Sequence, residues 1–183
     1  MRVVILAGGY GSRMGPETVL KPKPMVEVGG KPVLVHLMDS YEAQGFHDFV
    51  VLGGYKCDCI VDWFRDEALH TAKAVEFQDG SCRVLEGPER TRRVVVVDTG
   101  VGTPTCDRLA LASKFIGKGP FLLTYGDGLS DVNISATIDK LNAHPEALAL
   151  VTAYQPRSQF GGMVIDTTSR VLSFREKSSD SAP

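Results

Sequence analysis

The sequence predicts an α/β fold, a single Rossmann-like domain with a mixed, mostly parallel sheet. Three observations predict it. Short apolar, β-branched runs alternate with stretches of helical periodicity, which is the pattern of βαβ units. The first run, Val3-Val4-Ile5-Leu6, leads straight into the glycine-rich turn Gly8-Gly9-Tyr10-Gly11. A later run, Phe121–Tyr125, leads into Gly126-Asp127-Gly128. Ligands of parallel sheets gather outside the carboxyl ends of strands, so these two turns are expected to share a pocket.

The elements follow in order. Arg2–Leu6 is a strand by its apolar run. Residues 32–44 form a helix: Pro32 suits a first turn, Val33, Leu34, Leu37 and Met38 recur at helical spacing, and Gly45 stops it. Residues 48–52 are a second strand. Residues 57–69 are helical, with Ile60, Val61 and Phe64 on one face. Ala74–Gln78 and residues 83–85 read as short exposed strands, and residues 93–97 as a strongly β-branched one. Residues 108–115 read as a helix and Phe121–Tyr125 as a buried strand. Residues 134–143 form a helix that ends before Pro145. Residues 148–154, residues 163–166 and Val171–Arg175 are the remaining strands. One domain is expected over residues 1–177, followed by a polar, disordered tail at 178–183.

Composition narrows the class. A chain of 183 residues, 43% hydrophobic and 23% charged, is an ordinary globule with a real core. A net charge of −2 leaves no basic footprint, so nucleic acid is not an expected partner. No apolar run reaches bilayer length, and residues 3–7 are too short for a secretory signal. No membrane association is expected, and a cytoplasmic location follows by default. Cys57-Asp58-Cys59 is C-x-C rather than C-x-x-C, and no histidine pair completes a zinc site. Together with Cys82 and Cys106, these cysteines read as reduced, partly buried thiols. The scattered His36, His47, His70 and His144 receive no role.

The glycine turn carries the chemistry. Backbone N–H groups in such a turn can surround phosphate oxygens, and Arg13, Lys21 and Lys23 follow closely. Spacing excludes a P-loop, because no Gly-Lys-Ser/Thr ends the run. In the dinucleotide fingerprint Gly9 and Gly11 fit, but the third place falls on Met14. A plain strand-to-helix connection would also use these glycines. Gly8, Gly9 and Gly11 would let backbone approach a ligand, and the Arg13 guanidinium suits bidentate phosphate contact. Lys23 stands rigidly between Pro22 and Pro24, either aimed at a phosphate or solvated on a surface loop. By spacing alone Asp127 serves equally as a turn aspartate or as a Mg²⁺ ligand. Asp131 reads as an N-cap-region residue or a weak second contributor.

The motifs LAGGYGSR (6–13), KPKPMVEVGGKP (21–32), VDTG (97–100), TYGDGLSDVNI (124–134) and SFREK (173–177) occur in one order. That order resembles the sugar-phosphate nucleotidyltransferases, and is most similar to the glucose-1-phosphate cytidylyltransferases, over residues 1–177. The resemblance implies a nucleotide-diphospho-sugar transferase-like fold. It also implies transfer of CMP from CTP to a sugar 1-phosphate, glucose 1-phosphate in this case. Mg²⁺ would be the cofactor, with CDP-sugar (CDP-glucose) and pyrophosphate as products, in the supply of activated deoxysugars for surface polysaccharide. The acceptor oxyanion would attack the α-phosphate in line, with no side-chain nucleophile.

By the same resemblance the catalytic residues are Arg13, Lys23 and Asp127, with Asp127 holding the metal. Leu6, Ala7, Gly8, Gly9, Gly11, Ser12, Arg13, Lys23, Thr105 and Arg108 would bind the nucleotide. Tyr125, Gly126, Glu176 and Lys177 would face the sugar phosphate, with Glu176 on a sugar hydroxyl and Lys177 on the phosphate. An exposed, charged strand end is the plainer alternative for the last two.

Four departures qualify the match. Cys106 and Asp107 replace a glycine pair where the base is expected, which puts base choice in question. Gln159 replaces an arginine and Ser178 a proline. The family's continuation, with another strand and a late aspartate, is not present, so the usual C-terminal part is expected to be lacking. Open sheet edges would then need covering or would invite association, which allows a homo-oligomer. A non-catalytic nucleotide-binding protein or subunit is accordingly the rival expectation. An NAD-type oxidoreductase rests only on the near-miss glycine spacing, with Glu27 as a poorly placed ribose acid.

Overall fold

The computed structural model describes residues 1–11, 20–70, 74–78, 81–85, 92–154 and 162–175. They divide into two compact units, Met1–Ala136 and Thr137–Pro183. The first unit begins with β1 (Arg2–Leu6), a short 3-10 turn at Lys23–Met25, and β2 (Glu27–Val28) and β3 (Lys31–Pro32). There follow α1 (Val33–Glu42), β4 (Asp48–Gly53), α2 (Cys57–His70), β5 (Ala74–Gln78), β6 (Ser81–Leu85) and β7 (Arg93–Asp98). Helices α3 (Thr105–Leu111) and α4 (Ser113–Ile116) and strand β8 (Phe121–Tyr125) come next, and helix α5 (Ile134–Asn142) runs from the end of the first unit into the second.

The main sheet has six strands in the order β5-β6-β7-β4-β1-β8. Strands β7, β4, β1 and β8 are parallel, while β5 and β6 join antiparallel. The chain winds from β1 through β4 to β7 on one side, then returns to β8 on the other side of β1. The topological switch therefore falls between β1 and β8, where crevices form in open α/β sheets.

Alternation along each strand builds a core on both faces. Val3 and Ile5 of β1 join Phe49, Val51, Val94 and Val96 beneath α1 (Leu34, Leu37, Met38) and α2 (Ile60, Phe64). Val4 and Leu6 join Val50, Leu52, Val95 and Val97 beneath Ala112 and Ile116. Burial on both faces is why these strands read as unbroken apolar runs.

Several expectations are corrected. Strand β8 is not fully buried, because it lies at the sheet edge with Phe121, Leu123 and Tyr125 exposed and only Leu122 packed on the core. The expected helix over 108–115 starts earlier and is split. Pro104 sets its extended N-cap, and Ala112, at φ −88° and ψ 2°, separates α3 from α4. Asn133 rather than Asp131 caps α5, its side-chain oxygen accepting the Ala136 N–H at 2.9 Å. The β2–β3 hairpin was not expected: Gly29 and Gly30 supply two successive positive φ angles, 61° and 79°, for its two-residue turn.

In the second unit β9 (Gly162–Ile165) and β10 (Val171–Arg175) form an antiparallel hairpin. Its turn is held by the Asp166 carboxylate, which accepts hydrogen bonds from Thr168 Oγ1 and from the Thr168 and Arg170 N–H groups. Those bonds hold the Asp166 carboxyl below its ordinary value. Residues 148–154 form no strand; Leu148, Val151 and Tyr154 are exposed, and no described strand pairs with them. Apolar content favours extension, but a strand exists only as part of a ladder. Among the described residues no helix is long and apolar enough to cross a membrane.

Candidate active site

A cleft of about 240 Å³ opens at the carboxyl ends of β1 and β8. Its floor is the end of β1 and the turn that follows, namely Leu6, Ala7, Gly8, Gly9 and Gly11. Lys23, Pro24, Thr103, Thr105, Arg108, Tyr125 and Asp127 complete its lining. Gly11 has φ 65°, a left-handed conformation that a side chain would strain. Gly9 borders open space, so this stretch of backbone is free to approach a ligand.

Lys23 and Asp127 meet across more than a hundred residues of sequence. Nζ of Lys23 lies 2.6 Å from Oδ2 of Asp127, with about a third of each side chain exposed (35% and 33%). Two contacts bring them there. Pro24 and Met25 are buried, and Met25 packs on the core, which fixes the turn that carries Lys23. Gly126 donates its N–H to Leu6 O at 2.9 Å, and a Cβ on Gly126 would press on Pro24 Cγ at 3.1 Å. Gly126 is thus a packing glycine that lets the lysine turn close on β8, and it does not line the cleft. Lys21 points elsewhere, paired with Glu27 at 2.6 Å on the surface.

Arg108 is buried at 6% exposure. Its Nη1 donates to Gly53 O (2.8 Å), Thr99 Oγ1 (2.5 Å) and Gly100 O (2.9 Å), and its Nη2 to Gly8 O (3.0 Å). The side chain thereby ties together the chain ends after β1, β4 and β7. Thr99 Oγ1 in turn donates to Gly53 O at 2.6 Å.

Of the predicted residues, Leu6, Ala7, Gly8, Gly9, Gly11, Lys23, Thr105, Arg108, Tyr125 and Asp127 are brought to one cleft. Ser12, Arg13, Glu176 and Lys177 lie outside the described residues, as does Gln159. Two lining residues were not foreseen. Pro24 could have been read from its place beside Lys23, but Thr103 carries no motif. Cys106 and Asp107 are exposed on the first turn of α3 and do not line the cleft. Cys106 is an exposed free thiol rather than a partly buried one. Cys57 is buried, and burial, followed by the negative charge of Asp98, pushes its thiol up to about 12. Among the described residues no group of three or more His, Cys, Asp or Glu side chains gathers to hold a metal ion. Among the described residues, Asp127 is the one carboxylate that lines the cleft.

This arrangement can bind a polyanion at the β1 end and present one cation and one carboxylate to it from the side. Comparison with known proteins identifies the family. The family model described as Nucleotidyl transferase matches residues 2–182. Glucose-1-phosphate cytidylyltransferase of Salmonella typhi is 42% identical over 97% of this chain and 69% of its own length. The probable glucose-1-phosphate cytidylyltransferase of Bacillus subtilis is 38% identical over 98% of this chain and 70% of its own. The crystal structure of HddC from Yersinia pseudotuberculosis with GMP-PN superposes with a TM-score of 0.55 at 25% identity, covering 96% of this chain and 69% of that one. The chain belongs to the nucleotidyl transferase family.

Proposed function

We propose that this protein transfers CMP from CTP to a sugar 1-phosphate, glucose 1-phosphate in the first instance, releasing pyrophosphate. The observation that carries the proposal is the meeting of Lys23 and Asp127 beside the glycine turn, at the switch point of the sheet. The choice of CTP and glucose 1-phosphate is supported by the 42% and 38% identity to two cytidylyltransferases named for that sugar phosphate.

Each residue has a part that follows from its position. The backbone of Gly8, Gly9 and Gly11 lies where it can cradle the triphosphate. Lys23 neutralises charge on the transferring phosphate, which matters because phosphoryl-type transfer relies on positioning and electrostatics. Thr103 and Thr105 line the same cleft and would face the base in this reading. Asp127 suits Mg²⁺: that ion is held by one or two carboxylates, substrate phosphates and water, and a single carboxylate facing the cleft matches this donor set. Bound there, Mg²⁺ would offset charge on the α-phosphate and the departing pyrophosphate. Lys23 now occupies Asp127, so ligand entry must exchange this pair for new partners on both residues. No side chain is needed as a nucleophile, because the acceptor's own phosphate oxygen attacks.

The test is pyrophosphate release with glucose 1-phosphate, Mg²⁺ and each nucleoside triphosphate in turn. Release with CTP well above that with UTP, GTP or dTTP is expected. CTP binding without turnover would instead favour a non-catalytic nucleotide-binding protein. Failure to bind any triphosphate would overturn both.

A further inference from the structure

Resting on the nucleotide reading of the same cleft, we propose that Arg108 is a positioning residue. It holds the floor of the polyphosphate site in shape through backbone carbonyls, and does not grip the ligand itself. Arginine presents its donors in a rigid planar fork. Here that fork reaches Gly8 O on the β1 side and Gly53 O, Thr99 Oγ1 and Gly100 O on the β4 and β7 side. Three separate chain ends are thus held by one side chain, and the one after β1 is the turn expected to meet phosphate.

Two glycines make room for it. A Cβ on Gly8 would overlap the guanidinium, and a Cβ on Gly54 would come within 2.6 Å of Nη1. A Cβ on Gly9, by contrast, would meet nothing. Gly8 is therefore a glycine because of Arg108, and Gly54 because of Arg108 together with the Gly100 carbonyl, 2.7 Å from such a Cβ, whereas Gly9 is left open toward the cleft. The hydrogen-bond partners of the guanidinium among the described residues are three backbone carbonyls and one hydroxyl, Gly8 O, Gly53 O, Gly100 O and Thr99 Oγ1, as a scaffold role requires.

The test is a cycle of variants: Arg108→Lys, Arg108→Met, Gly8→Ala, and Gly8→Ala combined with each Arg108 variant. CTP affinity by calorimetry, kcat and KM for pyrophosphate release, and the thermal unfolding midpoint are all measured. A lysine keeps the charge, but its single nitrogen cannot reach both sides of the fork. Arg108→Lys and Arg108→Met are therefore expected to weaken CTP binding alike, on the order of tenfold or more, with kcat also reduced. Gly8→Ala should do comparable harm in the parent protein and add little once Arg108 is shortened, because the overlap is gone. Near-parental CTP affinity in Arg108→Lys would mean a direct charge contact and overturn the proposal. Additive effects of Gly8→Ala and Arg108→Met would overturn it as well, as would a lowered unfolding midpoint with unchanged CTP affinity and kcat. If Arg108→Met does not fold, the Gly8→Ala and Arg108→Lys cycle decides by the same criteria. A parent protein that binds no triphosphate would sink the nucleotide reading and this role together. Non-additive unfolding midpoints in that case would still show the Gly8–Arg108 contact, which separates the two failures.

Discussion

Lys23 and Asp127 form an ion pair and are the proposed centre of the chemistry. Both side chains are about a third exposed (35% and 33%), so the pair contributes little to stability, roughly 0–1 kcal/mol. Its worth should instead appear in turnover. Lys23→Met is expected to lower kcat/KM for pyrophosphate release about 100-fold, with an unfolding free energy within ~1 kcal/mol of the parent. Asp127→Asn should behave likewise and require more Mg²⁺ for half-maximal rate, read from a metal titration of initial rates. Equal activity in either variant would remove these residues from the mechanism. Lys23 stood out in the sequence because prolines hold it rigidly on both sides, whereas the glycines around Asp127 suit a turn aspartate equally well and only the family resemblance singled it out. The role of Gly8 was not legible. Its reason is Arg108, one hundred residues away, and nothing local to the glycine turn shows it. Cys57 gives a further check at this scale. Its thiol sits at about 12 against an ordinary 9.0, so at pH 8 its thiolate fraction is about a thousandfold below that of an ordinary thiol. Iodoacetamide labelling followed by mass spectrometry should modify exposed Cys106 and spare Cys57 until the protein is unfolded.

Elements were legible where their period was long enough to count. Helix α1 shows Leu34, Leu37 and Met38 at helical spacing, and all three are fully buried against the sheet (0%, 2% and 0% exposed). Leu37→Ala removes apolar contact and leaves a cavity under β1 and β4, so a loss of about 2–5 kcal/mol in chemical denaturation is expected. A loss below ~1 kcal/mol would mean that α1 does not carry the core in this way. Strands β1, β4 and β7 were legible for a related reason, since burial on both faces makes them continuous apolar runs. Short or unpartnered elements were not. Strands β2 and β3 have two residues each, too few to show a period, and only the Gly29-Gly30 turn marks them. Residues 148–154 carry strand-like composition, but pairing is a property of the partner and not of the run itself. The edge position of β8 is a fact of sheet order, invisible in a run of five residues.

At the scale of the first unit, a charge network joins segments far apart in sequence. The Asp39 carboxylate on α1 accepts from Lys31 Nζ of β3 at 2.7 Å and from Arg92 Nη2, just before β7, at 2.5 Å. Glu42, one turn further along α1, meets Arg92 Nε at 2.9 Å. Arg92 is mostly buried (12% exposed), so this is more than a surface pairing. Burial alone would raise the Asp39 carboxyl, but the hydrogen bonds from Lys31 and Arg92 outweigh it and hold the group below its ordinary 3.8. The sign follows from linkage. A carboxyl lowered in the folded state contributes stability that is fully present above its unfolded value and is lost as pH falls through the folded one. The parent protein should therefore lose stability steeply on acidification below about pH 4. Asp39→Asn should start from a lower stability at neutral pH and decline less over the same acid range, because its side chain no longer titrates. Urea midpoints taken between roughly pH 6 and pH 2.5 would decide the matter. Parallel curves for the two proteins would show that Asp39 does not link β3, α1 and the start of β7 energetically. Convergence of the curves at low pH is the expected result. High salt should narrow the gap at neutral pH less than it would for exposed pairs, since the buried Arg92 limits screening.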